Sequence, residues 1–268
     1  MKSFLLLILS VLVFSCKQAP KDEKEPIENN VEEKIVAKTY PENIRNVFEA
    51  HGGLAVWKKQ RTLIYTITKP KNPETHTTDL RSRKDRIDTE RFSMGFDGRQ
   101  PWLLDENENY KGNVEFYHNL MFYFYAMPFV LADDGVVYDE TEDLVFDGVN
   151  YPGIRISYQT GVGTSPKDEY FVHYDTETNQ MAWLGYTVTY RSGEKSDNVR
   201  WIRYDDWASV NGLLLPKSIT WHNYEGRDIK DARNTVDFEN ISISEIPRSD
   251  DFYAKPGQAV FWENVKEE

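Results

Sequence analysis

The chain has 268 residues, of which 40% are hydrophobic and 14% aromatic, and its formal net charge is −12. A chain of this length can bury a sizeable core as one or two domains. The acidic balance argues against nucleic acid as a partner, because phosphate contacts need clustered Lys and Arg. The single Cys excludes an intramolecular disulfide.

Residues 1–15 have the pattern of a bacterial signal peptide. The apolar run Phe4–Phe14 follows a positive residue and is too short to span a bilayer, which needs about 20 residues. It ends in Ser15-Cys16, which resembles the lipobox of bacterial lipoproteins, although Phe14 stands where a small residue is usual. The resemblance implies cleavage before Cys16 and acylation of Cys16. Two or three acyl chains anchor a protein stably in a membrane.

Residues 16–39 are predicted to be the acylated Cys followed by a flexible tether. The segment is charged, contains Pro and has few large apolar groups, so burial cannot offset the entropy lost on ordering. Residues 40–268 then form a single folded domain. We therefore predict a lipid-anchored protein of the bacterial cell envelope, in the outer membrane, with the side of that membrane left open.

The folded part is predicted to begin with a helix near Tyr40. Asn43 is a suitable N-cap, and an apolar stripe continues past the break at Gly52-Gly53. His51 stands before these glycines. It suits a C-terminal cap on the helix dipole better than a functional site.

Strands are predicted to follow, in an antiparallel meander. Residues 62–68 alternate apolar and polar side chains, as a half-buried strand does. Residues 75–82 and 85–92 are polar and rich in Arg, so we expect one face of each to be exposed to water. The arginines alternate with acids along these strands, which favours surface ion pairs over an anion site.

Residues 113–127 differ from the meander around them. The segment has the length of a helix that Asn113 can cap, and it is apolar almost all round. Such a helix is buried on most sides. A plug or lid over the concave face of a sheet and an ordinary core helix explain the segment equally well.

The clearest local signal is a β-hairpin centred on Asn211-Gly212. The runs Arg200–Trp207 and Leu213–Trp221 flank these residues, both of which accept the positive φ of a tight turn. Pro216 has no N–H to donate, so we expect it at an edge, at a strand start or at a bulge.

The sequence contains none of the common motifs for catalysis and cofactor binding. It lacks a nucleophile elbow, a phosphate-binding Gly-rich loop, a zinc-protease helix and a Cys pair. The five His are isolated and lack metal-ligand spacing. These observations favour a binding role over an enzyme and predict neither a metal nor a cofactor.

Three segments resemble lipoprotein carriers of the LolA/LolB type and outer-membrane lipoprotein-sorting proteins. They are HYDTETNQMAWLGYTV at residues 173–188, DWASVNGLLLPKSI at residues 206–219 and ISISEIPRSDDFYAKP at residues 241–256. The resemblance implies a half-open antiparallel barrel around an apolar cavity for acyl chains. HGGLAVWKK at residues 51–59 also resembles a narrower lipoprotein family with no assigned activity.

The fold class expected is therefore mainly β (α+β), a curved antiparallel half-barrel sheet with helices covering its concave face. We expect a lipid or another apolar ligand in its cavity; the alternative is an interaction lipoprotein with a filled core and no small ligand. A protein partner is not indicated. The candidate cavity residues share alternating strand faces or lie on the apolar helix: Trp57, Tyr65, Ile67, Phe92, Met94, Phe96, Trp102, Phe122, Tyr123 and Met127.

Overall fold

The computed structural model describes residues 38–159, 167–190 and 192–263. Within them, thirteen strands form one sheet in which each neighbouring pair is antiparallel. In chain order the strands are β1 Thr62–Ile67, β2 Glu74–Asp79, β3 Asp85–Asp88, β4 Ser93–Phe96, β5 Pro101–Leu104, β6 Val136–Phe146, β7 Val149–Tyr158, β8 Tyr170–Tyr174, β9 Met181–Tyr186, β10 Arg200–Val210, β11 Leu213–Glu225, β12 Asp228–Ser244 and β13 Val260–Phe261. Across the sheet the order is β13-β5-β4-β3-β2-β1-β12-β11-β10-β9-β8-β7-β6. The predicted signal peptide, Cys16 and nearly all of the predicted tether lie outside the described residues.

The helices are short, and most of them pack on one face of this sheet. They are α1 Glu42–Ala50, α2 Leu54–Trp57, α3 Val114–Tyr117, α4 Leu120–Tyr125, a 3₁₀ helix at Phe129–Ala132 and α5 Asp250–Tyr253. The buried side chains of α1, α2, α4 and the 3₁₀ helix form one hydrophobic cluster with inward-facing residues of β1 and of β7 to β12. The structure thus confirms a curved antiparallel sheet whose concave face is covered by helices.

β12 joins the two halves of the sheet. It is 17 residues long. Its first part, up to Asp237, pairs with β11, and its last part, from Phe238 to Ser244, pairs with β1. β12 therefore belongs to both halves and makes the sheet continuous. It does so although β1 lies near the start of the domain and β12 near its end.

The predicted hairpin turn is confirmed, and helix α1 packs against its tip. Asn211 and Gly212 have φ of 50° and 82°, and β10 and β11 pair on either side of them. Gly52 has φ of 104°, and a Cβ there would lie 2.1 Å from the carbonyl oxygen of Gly212. The backbone N–H of Leu214 donates to the carbonyl oxygen of His51 at 2.9 Å. Only a residue without a side chain allows this approach.

Three local predictions concern the ends of α1 and the middle of β11. His51 is the C-cap residue of α1, as predicted. The prediction of Asn43 as the N-cap is wrong, because α1 begins at Glu42 and Pro41 is its N-cap. Pro216 pairs with Trp207 at a register shift of β10, so it lies at a bulge, one of the three places expected.

The prediction of a water-exposed face on residues 75–82 is wrong for most of β2. His76, Thr77, Thr78 and Asp79 are all buried. The ring of His76 stacks on that of Tyr65 with centroids 4.9 Å apart, and Asp79 pairs with Arg61 at 3.0 Å. The polar composition of this segment does not predict exposure, because His76 and Asp79 are buried together with their polar partners Glu74 and Arg61. The expected cross-strand ion pairs with the interleaved acids are not what forms: Arg86 pairs with Asp88 on its own strand, and Arg83 pairs with Asp133, 50 residues further along the chain.

Candidate functional site: a cleft between the helices and the sheet

Most of the predicted cavity residues lie in a filled core. Trp57, Tyr65, Ile67, Phe122 and Met127 are all buried in the main hydrophobic cluster. The ring of Trp57 stacks on Phe129 with centroids 4.6 Å apart, and that of Tyr65 stacks on Tyr125 at 4.0 Å. The helices therefore occupy the part of the concave face in front of these residues.

The predicted residues on β4 and β5 do not all share one face. Phe92 and Met94 belong to a second buried cluster under α3, and Phe96 stacks on the ring of His118 at 5.3 Å. Trp102 pairs with Gly95, so its side chain points to the opposite face. There its Nε1 donates to the carbonyl oxygen of Tyr253 at 3.0 Å. Trp102 does not line the concave face, and its predicted place in a cavity is wrong.

The apolar segment 113–127 is two short helices with a break between them. Asn113 caps α3, accepting a hydrogen bond from the Phe116 N–H at 3.0 Å, as predicted. The break falls at His118-Asn119, between α3 and α4. The hydroxyl of Tyr204 donates to the carbonyl oxygen of Phe124 at 2.8 Å, which ties the end of α4 to β10.

Buried polar contacts hold α3 and the break against β2 and β3. Nδ1 of His118 lies 2.6 Å from Oδ2 of Asp85, and the hydroxyl of Tyr117 donates to Glu74 at 2.6 Å. Burial raises the pKa of Asp85 to about 6, although the His118 hydrogen bond opposes it. Burial would also raise the pKa of Glu74, but hydrogen bonds from His76, Lys69 and Tyr117 outweigh burial and lower that pKa to about 2.

A cleft remains open between these two helices and the strands β7 and β8. Its volume is about 360 Å³, at the lower end of the range for small-molecule sites. Six aromatic side chains line it: Phe116, Tyr123, Phe124, Tyr158, Tyr170 and Tyr190. Phe116 and Tyr123 are 36% and 38% exposed, so each presents a large apolar surface to solvent at the mouth.

The far wall comes from strands and from the segments that follow them. Tyr158 at the end of β7 and Tyr170 at the start of β8 meet edge to face, with ring centroids 6.0 Å apart. Tyr190 closes the wall from beyond β9, with its ring 4.9 Å from that of Phe116. The cleft is thus bounded by rings from three separate parts of the chain.

The polar lining of the cleft is acidic. Among the described residues that line it, four are acids, Glu115, Asp133, Asp134 and Asp168, and none is Lys, Arg or His. Arg83 lies close by, but its Nη2 contacts both carboxylate oxygens of Asp133, at 2.8 and 2.7 Å. Asp168 accepts the backbone N–H of Thr189 at 2.7 Å, and burial raises the pKa of its carboxyl group.

Tyr123 is the one predicted cavity residue that lines this cleft. The three tyrosines of the far wall were not predicted. Tyr158 ends β7 and Tyr170 begins β8, but nothing in the sequence brings them opposite α4. Spacing along the chain carries no information on which side chains meet across a helix and a sheet.

Neither a metal cluster nor a membrane-spanning helix is present in the part of the chain that the structure describes. No group of three or more His, Cys, Asp or Glu side chains there is placed to hold a metal ion. None of the helices there combines the length and the apolar composition needed to cross a membrane.

A protein-family model described as a family of unknown function, DUF6503, matches residues 1–232. The chain belongs to the DUF6503 family. No curated protein matches this DUF6503 member.

Among solved structures, this DUF6503 protein is similar to three bacterial proteins. A LolA superfamily protein from Nitrosomonas europaea has 10% identity and a TM-score of 0.44, over 73% of this chain and 89% of that one. A DUF1329 family protein from Desulfovibrio piger has 10% identity and a TM-score of 0.43, over 73% and 88%. A putative outer membrane lipoprotein-sorting protein domain from Vibrio parahaemolyticus has 7% identity and a TM-score of 0.40, over 72% and 88%.

Proposed function

We propose that this protein is a lipoprotein of the bacterial cell envelope that binds an apolar ligand, such as a lipid, in the cleft between α3–α4 and β7–β8. Acylated Cys16 anchors it in the outer membrane, and residues 16–39 tether the domain. The protein acts by binding and not by catalysis.

The observation that supports this proposal is the aromatic cleft itself. A concave site lined mainly by apolar and aromatic groups is the usual form of a small-molecule site. Exposed Phe116 and Tyr123 stand at its mouth, where an acyl chain or ring could cover them. Burial of such a group gives about 0.8 kcal/mol per CH₂, enough for useful affinity without polar contacts.

The second candidate is an interaction lipoprotein without a small ligand. The packed aromatic core favours it, because Trp57 and Tyr65 already have ring partners where the sequence suggested open space. On this alternative, the exposed rings at the cleft mouth contact a protein.

Native mass spectrometry with lipid extraction tests the first candidate. Residues 17–268 are expressed without the anchor and purified gently from a membrane-containing host. We expect a stoichiometric apolar adduct. A mass that stays free of adduct after incubation with lipid would refute the apolar-ligand proposal in favour of the interaction protein.

Matched variants locate the adduct. Phe116→Ala and Tyr123→Ala each remove an exposed ring from the cleft, whereas Phe261→Ala removes a ring that is 41% exposed on β13, outside the cleft. We expect the first two to lower adduct occupancy and the third to leave it unchanged. Equal occupancy in all three would place the ligand elsewhere.

A further inference from the structure

A second pocket lies where α2 and the 3₁₀ helix meet the turn between β2 and β3. Its volume is about 260 Å³, below the usual range of about 300 to 1,000 Å³ for small-molecule sites, so it suits a small group. The stacked rings of Trp57 and Phe129 form part of its wall, together with Leu54 and Leu80. Among its described lining residues, Asp133 alone also lines the aromatic cleft. The pocket is therefore a separate site.

Gln60 places a buried hydrogen-bond acceptor without a donor in the wall of this pocket. The residue is 4% exposed. Its Nε2 donates to the carbonyl oxygen of Val56 at 3.2 Å, which settles the orientation of the amide. Its Oε1 is buried and has no hydrogen-bond partner among the described residues. Because nearly all buried polar atoms in proteins are paired, this oxygen indicates a ligand that donates a hydrogen bond here, as a hydroxyl group does.

Arg83 places a buried donor in the same wall. Its Nη2 contacts both carboxylate oxygens of Asp133, at 2.8 and 2.7 Å, and its guanidinium lies 4.9 Å from the centroid of the Phe122 ring. These two contacts hold the side chain in one position. Its Nη1 is buried and lacks a hydrogen-bond partner within the described part of the chain. A guanidinium N–H fixed in this way is a typical donor to the oxygens of an anion.

Lys58 and Arg81 add positive charge to the lining. Both are exposed. Neither forms an ion pair with a described residue, whereas Arg61 and Arg83 nearby do. The described lining thus has three bases and one acid, and that acid already contacts Arg83. On a chain with a net charge of −12, this local excess of positive charge favours an anionic ligand.

We propose that this pocket binds a phosphate ester that also carries hydroxyl groups. The phosphate oxygens accept hydrogen bonds from Arg83 Nη1, Arg81 and Lys58. One hydroxyl group of the ester donates to Gln60 Oε1. Three positive groups suit the several oxygens of a phosphate better than the two oxygens of a carboxylate. Free sugar and polyol phosphates have this chemistry, and so does the glycerol phosphate head group of a lipid.

Isothermal titration calorimetry on residues 17–268 tests this recognition with three probes at pH 7. The probes are sn-glycerol 3-phosphate, n-propyl phosphate, which has the same chain without hydroxyl groups, and glycerol. We expect glycerol 3-phosphate to bind about fivefold more tightly than propyl phosphate, because only the first can donate to Gln60. Glycerol should bind more weakly than either ester, since it lacks the charge. Equal affinity for the two esters, or tighter binding of propyl phosphate, would overturn the proposal.

Matched variants place the binding in this pocket. Gln60→Met removes the acceptor, and the carbonyl oxygen of Val56 still accepts the Lys59 N–H at 3.2 Å. We expect this variant to bind both esters equally, and an unchanged preference for glycerol 3-phosphate would overturn the role of Gln60. Arg81→Gln should weaken both esters about fivefold. Arg99→Gln, at an exposed position outside the pocket, should change neither. Equal losses in the two arginine variants would overturn the site and indicate diffuse attraction.

Vesicles distinguish a lipid head group from a free phosphate ester. Residues 17–268 are sedimented with phosphatidylcholine vesicles that contain or lack phosphatidylglycerol. Cosedimentation that requires phosphatidylglycerol and falls in Arg81→Gln would support the lipid source. Binding of glycerol 3-phosphate without such cosedimentation would support the free ester. Failure of both glycerol 3-phosphate and the vesicles to bind would overturn the proposal, while the apolar ligand of the cleft is decided separately by the adduct in native mass spectrometry.

Discussion

His51 should make the folded state sensitive to mild acid. The residue is fully buried at the end of α1. Its Nδ1 lies 2.8 Å from the carbonyl oxygen of Val47, and its Nε2 has no hydrogen-bond partner among the described residues. Burial lowers its pKa from 6.5 to about 4, although the hydrogen bond to Val47 opposes this. A proton on this ring would bring an unpaired charge into the core.

The sign and size of the effect follow from these pKa values. Between pH 6.5 and 4 the unfolded chain binds a proton at His51 and the folded chain does not, so stability falls as pH falls through this window and levels off below it. Between pH 7 and pH 4.5, a group with these two pKa values lowers the protein's free energy of unfolding by about 2 kcal/mol. Other groups titrate in the same range, so the contribution of His51 is the difference between wild type and a variant that lacks this histidine, measured at both pH values.

The assay is urea unfolding followed by tryptophan fluorescence, with His51→Asn as the variant. Asn can still donate to Val47 but does not titrate. Whatever its stability at pH 7, the variant should lose about 2 kcal/mol less than wild type between pH 7 and pH 4.5. His173 offers a matched second position, because burial also lowers its pKa to about 4. The same pH-dependent loss in wild type and in His51→Asn would refute the claim that the fold holds His51 neutral.

Three further predictions concern the turn, the core and the anchor. Gly52→Ala should lower the free energy of unfolding by about 3 kcal/mol or more, because the added Cβ would clash with the Gly212 carbonyl. The control Gly148→Ala is also at positive φ but has nothing within 4 Å, so it should cost about 1 kcal/mol in the same urea titration. Equal losses in the two variants would contradict the clash. Met94→Arg should abolish the cooperative thermal transition, because it puts a charge at a fully buried position. A native-like melting curve would show that β4 can move enough to expose this side chain to water. Cys16→Ala should move the full-length protein from the detergent phase to the aqueous phase in a detergent partition of expressing cells, and unchanged partitioning would rule out acylation at Cys16.

The parts of the fold that sequence predicts best are those where the signal is local. Asn211-Gly212 specifies a tight turn by its own backbone preferences, and the structure has that turn. Asn113 caps α3 for a similar reason. The prediction that Trp102 shares a face with Met94 and Phe96 is wrong, because Trp102 pairs with Gly95, which lies between them on β4. Which face a β5 side chain takes depends on the pairing register across the β4–β5 turn. Short strands joined by a loop give no sequence signal for that register.

The cleft could not be predicted, because it depends on what the helices leave uncovered. The sequence indicated an apolar segment over the concave face and left open whether that segment is a plug or a core helix. The structure has two short helices there, with the break at His118 held by the buried carboxyl group of Asp85. Neither residue signals this contact in the sequence, since 33 positions separate them. The direction of α4, and hence the gap beside Tyr158 and Tyr170, follows from such long-range contacts.

The shared strand β12 also sets the order in which the molecule can assemble. The hydroxyl of Thr62 on β1 donates to the carbonyl oxygen of Ile246, 184 residues further along the chain. Pairings this distant in sequence slow folding, because a long loop must close before its contacts form. A chain that emerges from a translocation channel with its N-terminus first exposes β1 long before its partner arrives. Until then, Leu63, Tyr65 and Ile67 have an unpaired strand edge beside them, and a chaperone that covers that edge should raise the yield of folded protein.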